Sequence, residues 1–227
     1  MSPATTIAQL CVLIFALILP TATTATTAPT YDMDEYWFTP ENLFTHTKNR
    51  FHDGSVRSGG RHGFWYGQLW GRTVRLQGDP SMSRYDIYVL NGSIFEYWGS
   101  FRGNLWDRPD SHAFDNPFRW MNRYMKVHDY MENSLTVREL SNELRKNVST
   151  STISMRLEIL EYLPTFTIPE DDGRGLTFKD VLRIRFWSSY STDPGKHETY
   201  HLAKGFGTVY FVSTDTEEPS GVKTSWV

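Results

Sequence analysis

Hydrophobic and polar positions alternate one by one through much of this chain, which is the pattern of half-buried strands. The alternation is cleanest in the second half. Ile153, Met155, Leu157 and Ile159 share one side, and Ser154, Arg156 and Glu158 take the other. Leu182, Ile184 and Phe186 alternate with Arg183, Arg185 and Trp187 in the same way. One face on a core and one in water is the habit of antiparallel sheets. Thr208 to Val212 (TVYFV) is apolar after its first residue and reads as a central strand. In the first half, strand-like text runs from Gly63 to Trp70 and from Arg72 to Gln77, interrupted by Gly71. Arg84 to Leu90 and Ser93 to Trp98 flank Asn91-Gly92, a pair that accepts the positive φ of a type I′ turn and predicts a hairpin.

The period changes in the middle. Asn116-Pro117 has the form of a helix N-cap followed by proline at the first helical position. Phe118, Met121 and Met125 then recur at helical spacing, and Val137, Leu140, Leu144 and Val148 make a second stripe over Thr136 to Val148. These stripes predict a two-helix insertion at about 116–148. Nearer the N-terminus, Tyr31 to Asn49 suits a docking arm or a short helix after Pro40, and His52 to His62 (HDGSVRSGGRH) reads as a loop. No repeat of fixed period occurs, which disfavours solenoids and propellers. The expected fold is α+β and β-rich. A single domain over 63–227, an antiparallel β-sandwich or open barrel, carries the helical insertion and follows an N-terminal arm and loop over 26–62.

Composition adds an address. The first 31 residues carry no charged side chain and contain the apolar run Leu10 to Leu19 (LCVLIFALIL), closed by Pro20 and followed by a Thr/Ala stretch. This is the layout of a signal peptide over about residues 1–25, and its apolar core is too short to span a bilayer. The expectation is a secreted or extracytoplasmic protein without a membrane span. Cys11 is the only cysteine and leaves with the signal, so the mature domain has no disulfide, no thiolate-bound metal and no cysteine nucleophile. A net charge of −3 gives no electrostatic footprint for nucleic acid or an anionic membrane. Asn91-Gly-Ser and Asn147-Val-Ser are sequons that mark candidate glycosylation sites on an exported chain.

Chemistry is less legible. Aromatic residues make up 15% of the chain, enough either to fill a β-rich core or to pave a ligand face. Trp65, Tyr66, Trp70, Tyr97, Trp98, Trp106 and Trp187 are the rings to place. The run Gly99 to Asp110 (GSFRGNLWDRPD) reads as a polar loop in which Trp106 stacks on a ligand while Arg102, Asn104 and Asp107 orient its polar groups. His197-Glu-Thr-Tyr-His201 is a literal H-E-x-x-H, which on a helix would chelate zinc through both histidines with Glu198 as base. Its flanks, Asp193-Pro-Gly before and Gly205 and Gly207 after, instead predict a strand with ordinary exposed histidines. Glu96 with Glu158 or Glu161 is a candidate carboxylate pair for glycoside hydrolysis, and Asp171-Asp172-Gly173 is a turn able to ligate calcium only with help from other loops. No phosphate-binding loop, dinucleotide fingerprint or nucleophile elbow occurs, and no cofactor is implied.

The segment Tyr200-His-Leu-Ala-Lys-Gly-Phe-Gly-Thr-Val-Tyr resembles the closing hairpin of certain uncharacterised bacterial secreted proteins and lipoproteins. That resemblance implies two antiparallel strands joined at a glycine bend and transfers no catalytic residue. The expected function is a secreted, non-catalytic binding protein with an aromatic-lined site for carbohydrate or another small ligand. A hydrolase and a structural or envelope-associated protein are the alternatives.

Overall fold

The computed structural model describes residues 28–69, 71–80, 84–102, 111–114, 117–141, 146–173, 175–189, 196–214 and 222–227. The signal segment, Trp70, Asn104, Trp106 and Asp107 lie outside the described residues. In chain order the elements are β1 (Tyr31–Asp32), α1 (Met33–Trp37), β2 (Phe44–Phe51), β3 (Val56–Leu69), β4 (Arg72–Asp79), β5 (Arg84–Asn91), β6 (Ile94–Arg102), β7 (Ser111–Phe114) and β8 (Phe118–Asn122). They continue with β9 (Tyr124–Met125), β10 (Tyr130–Ser141), β11 (Lys146–Thr167), α2 (Glu170–Gly173), β12 (Thr177–Ser188), β13 (Glu198–Ala203), β14 (Gly207–Ser213) and β15 (Val222–Trp226).

One 13-stranded antiparallel sheet has the order β7-β10-β11-β12-β13-β14-β15-β2-β3-β4-β5-β6-β8, and β1 pairs with β9 beside it. The sheet rolls up until its edges meet. β7 lies against β6 and β8 against β10, and the Asn133 side-chain amide donates to the Arg119 carbonyl at 3.1 Å across that seam. Bulges at Thr47/Lys48, Ile87/Tyr88, Ile159/Glu161 and His201/Leu202 supply local bending. The result is an almost closed barrel.

Strand alternation fills it. Ile153, Met155, Leu157 and Ile159 of β11 are all buried, with the intervening residues only half-buried. They join Leu182, Ile184, Leu202, Phe64, Tyr88, Phe95, Phe118 and Trp120 in one inner cluster. The barrel is plugged by the segment that carries α1. Asp32 caps this short helix by accepting from the Asp34 N–H at 3.1 Å. Met33, Tyr36, Trp37 and Phe38 are buried in the inner cluster. Two ion pairs fasten the plug: Arg123 grips Asp32 through Nε and Nη2 at 2.9–3.1 Å, and Arg75 takes Asp34 through both terminal nitrogens. At Gly207 the plug comes so close that an added Cβ would stand 3.2 Å from the Thr39 methyl and 3.4 Å from the Trp37 carbonyl.

A second packing layer covers part of the outside. Pro164 in β11 has no N–H to give the ladder, and Asp180 across from it takes a left-handed φ of 52°. Beyond that point the β11–β12 hairpin lies on the outer face of β13, β14 and β15. Phe166 stacks on His201 at 4.1 Å, and the Arg50 guanidinium reaches the Asp171 carbonyl at 2.5 Å. Val181, Ala203 and Val209 are buried here beside Ile168, Tyr210 and Trp226.

Several expectations are overturned. The two-helix insertion at 116–148 is absent: the described residues there form β8, β9, β10 and the start of β11. Leu140 and Asn147 face one another across the β10–β11 hairpin, so the second stripe spans two strands. The helix expected after Pro40 precedes it as α1, and the expected 52–62 loop is only the turn at Asp53-Gly54-Ser55, with β3 starting at Val56. The β5–β6 hairpin forms, but its turn is shifted. Asn91 pairs with Ile94, and Gly92 takes the first central position at φ 62°, the placement of a type II′ turn. Asp171-Asp172-Gly173 belongs to the single helical turn α2.

Candidate functional site

Inward-facing residues of β3, β4, β5, β6, β8, β11, β12, β13 and β14, with Trp37 of the plug, line a half-open cavity of ≈ 360 Å³. Its rings are Trp37, Tyr88, Tyr97, Trp120, Phe186 and Tyr200. Trp120 is the hub: its ring centroid lies 5.2 Å from Trp37, 5.6 Å from Tyr97, 6.2 Å from Tyr88 and 5.1 Å from Phe186. Trp37 reaches across to Tyr200 at 5.7 Å. Polar groups interrupt the rings: His62, Gln77, Asp86, Ser188 and Thr208. Period two places Asp86 and Tyr88 on the same inner side of β5, with Gln77 opposite Asp86 on β4.

The polar network is specific. The Tyr97 hydroxyl donates to Asp86 at 3.1 Å, and the Tyr200 hydroxyl donates to Glu198 at 2.5 Å. Gln77 gives its amide to the Trp37 carbonyl at 3.3 Å and so ties the cavity wall to the plug. Burial pushes the Tyr88 and Tyr200 hydroxyls well above the ordinary phenol range. Glu198 adds to the rise at Tyr200, with Tyr88 and Asp86 behind it. Trp120 is only 6% exposed, and its indole N–H has no hydrogen-bond partner. An unpaired buried donor is costly.

A second hollow of ≈ 450 Å³ shares His62, Tyr200 and Thr208 with the first and continues past Asn49, Phe51 and Phe211. A third, of ≈ 650 Å³, lies outside the barrel between the β2–β3 hairpin and α2. Its lining mixes Lys48 and Arg57 with Glu170 and Asp171 and has Trp226 as its one ring. Convergent polar groups on an apolar wall distinguish ligand sites, and the inner cavity has them.

The residues singled out in the sequence fall elsewhere. Trp106, Asn104 and Asp107 lie outside the described residues, and Arg102 ends strand β6, so Gly99 to Arg102 is strand and not loop. Trp65 packs on Phe44 and Tyr85, Trp98 donates to Glu96 at 3.2 Å, and Tyr66 is 47% exposed. Of the rings singled out in the sequence, Tyr97 is the one among the described residues that lines the cavity. HETYH lies at and within β13, where alternation sets Glu198 on the opposite face from His197 and His201. The expected exposure of these histidines fails at His201. It is 7% exposed, sandwiched with Phe166 and Tyr210, and burial, with Arg183 nearby, pushes its pKa down to about 4. Among the described residues no group of three or more His, Cys, Asp or Glu could hold a metal ion. Glu158 is held by Arg156 and Arg185, Glu161 by Arg183, and Glu96 by Asn91 and Trp98. Asn91 stands exposed at the hairpin tip, and Asn147 lies near the start of β11.

No protein-family model matches the chain, and searches of the curated proteins and the solved structures found no match.

Proposed function

We propose that this is a secreted, non-catalytic binding protein that takes one small ligand, a sugar unit or another compact molecule with both flat and polar faces, into the cavity inside its barrel. The observation that carries this reading is the ring-lined hollow of ≈ 360 Å³ around Trp120, whose buried indole N–H lacks a partner. A cavity of that size suits a small molecule, and rings alternating with Asp86, Gln77 and His62 give a ligand both contact area and orientation. The adjoining hollow past Phe51 and Phe211 offers the way in. The signal-like N-terminus supports export, and the exposed Asn91 sequon is the better placed of the two for a glycan.

The test is intrinsic tryptophan fluorescence of the mature domain, titrated with mono- and oligosaccharides and with neutral aromatic compounds. A saturable shift is expected, lost in Thr208→Trp, which fills the cavity from its wall, while far-ultraviolet circular dichroism is unchanged. A saturable shift that survives in a folded Thr208→Trp would move the site out of the barrel and overturn the proposal.

A further inference from the structure

The two hollows that meet at Tyr200 differ in chemistry. The inner one carries the Asp86 carboxyl group, to which Tyr97 donates. The adjoining one, of ≈ 450 Å³, is lined by no lysine, arginine, aspartate or glutamate among the described residues. Its polar side chains are instead three hydroxyls and an amide, those of Thr47, Thr208, Ser225 and Asn49, which both donate and accept. A row of rings joins the two hollows. Trp120 lies 5.2 Å from Trp37, Trp37 lies 5.7 Å from Tyr200, and Tyr200 lies 5.1 Å from Phe211. Tyr200 and Phe211 are partners across the β13–β14 ladder, so the row passes from one hollow to the next without a break. Gly59 keeps the adjoining hollow roomy. Unlike Gly60 beside it, Gly59 has no positive φ, so backbone conformation does not call for glycine there. Space does, because an added Cβ would press on the Thr47 hydroxyl oxygen and stand 2.7 Å from the Asn49 side-chain oxygen.

Resting on the binding reading above, we infer that the ligand is the end of a linear, uncharged oligosaccharide. One sugar unit lies beside Trp120, and the next lies past Tyr200 against Phe211, Asn49 and Ser225. The way into the barrel is thus itself a second sugar site. A chain of pyranose units presents apolar C–H faces to rings and hydroxyls to either side. A row of rings flanked by hydroxyls and an amide matches both. An acyl chain would use the rings but strip Thr47, Asn49 and Ser225 of water without replacing it, which is costly. A charged sugar would bring an ion to a wall that offers no opposite charge.

The experiment follows the intrinsic tryptophan fluorescence of the protein against neutral cello-, malto-, manno- and chito-oligosaccharides, each from one unit to four. In the series that binds, the disaccharide is expected to bind about tenfold more tightly than its monosaccharide, with little gain beyond the third unit. Phe211→Ala should bring the two affinities together. Asn49→Ala should narrow the difference by less, and it serves in place of Phe211→Ala should that variant not fold. Equal affinity for one unit and for two, with the response abolished in Thr208→Trp, overturns the chain assignment and leaves the cavity standing. A gain with length that persists in both Phe211→Ala and Asn49→Ala overturns the assignment too, because the second unit then lies elsewhere. So does tighter binding of an oligogalacturonate or a chitosan oligomer than of any neutral chain. Silence toward every sugar, while neutral aromatic compounds still bind and are lost in Thr208→Trp, overturns this inference alone. No response to any probe, or a response unaffected by Thr208→Trp, overturns the cavity reading and this inference with it.

Discussion

Inside the barrel, the residues that meet are rings with polar handles and polar or charged groups from β4: Trp37, Tyr88, Trp120 and Tyr200 beside Arg75 and Gln77. Outside, under the tip of the β11–β12 hairpin, the buried contacts are Val181, Ala203 and Val209 against Phe166 and Phe178, with His201 as the buried ionisable side chain. Both layers exclude water, yet they differ in what they leave behind. The inner layer keeps a hollow whose wall carries rings together with donors and acceptors, whereas the outer layer buries Val181, Ala203 and Val209 beneath the hairpin.

The comparison breaks most sharply at Trp120. Trp120→Ala removes the hub of the inner layer and should lower stability by about 3–5 kcal/mol in urea denaturation, and it should abolish ligand-dependent fluorescence. An equal loss from Val209→Ala would contradict the view that the inner layer holds more of the core. Asp34→Ala comes next. It leaves the Arg75 guanidinium, 11% exposed, without its counter-ion, and the expected cost is about 3 kcal/mol because Asp34 itself remains a quarter exposed. Asp34→Ala combined with Arg75→Met should cost less than Asp34→Ala alone, which a double-mutant cycle reads directly.

The outer layer is tested by pH. His201 is buried in its neutral form, with a pKa pushed down to about 4 from an ordinary 6.5. The unfolded chain therefore binds the proton more readily than the folded one. The stabilising effect is fully present above about pH 6.5, is lost progressively as pH falls toward 4, and amounts to about 2–3 kcal/mol. His201→Phe should flatten the midpoint of denaturation between pH 6.5 and 4; an unchanged slope would show that His201 is not what titrates. The smallest expected effect is at Gly207, where a φ of 74° and the nearness of Thr39 and Trp37 make Gly207→Ala cost about 1–2 kcal/mol, read as a lowered Tm.

How far the sequence foretold this molecule depends on the distance over which each signal acts. The alternation in 153–159 and 182–186 was readable because burial on a pleated strand repeats every second residue, and the structure buries those apolar side chains, Phe186 only in part. The stripe of Phe118, Met121 and Met125 misled because β8 and β9 are interrupted at Arg123, whose side chain turns to Asp32, so a helical spacing arises from two short strands. Helix α1 carried a local signal that was passed over: Asp32 with Glu35 three residues later has the form of a capping box. Strand β4 was legible as a strand and not in its orientation. Val74 and Leu76 look like its core face, yet Arg75, Gln77 and Asp79 are the inward-facing set, because the plug supplies Asp34 and the Trp37 carbonyl as partners. The cavity was out of reach for the same reason. His62, Asp86, Trp120 and Tyr200 become neighbours only through the register of many strands, and no spacing along the chain announces that.

One pairing in the sheet bears on how the chain reaches this state. Strand β2, at 44–51, is flanked by β3 and by β15, at 222–226. Nine of the twelve neighbour pairs join strands consecutive in the chain, so two meanders, β2 to β6 and β10 to β14, can each assemble from pairings local in sequence. Until β15 arrives, both meanders keep a bare ladder of N–H and C=O groups on the rims it will bridge. The nascent protein thus passes through a stage with two adhesive rims, because the strand that seals them is made after both meanders. Folding yield should therefore hinge on β15: a chain cut at residue 214 is expected to retain its hairpins and yet to self-associate through the rims left open.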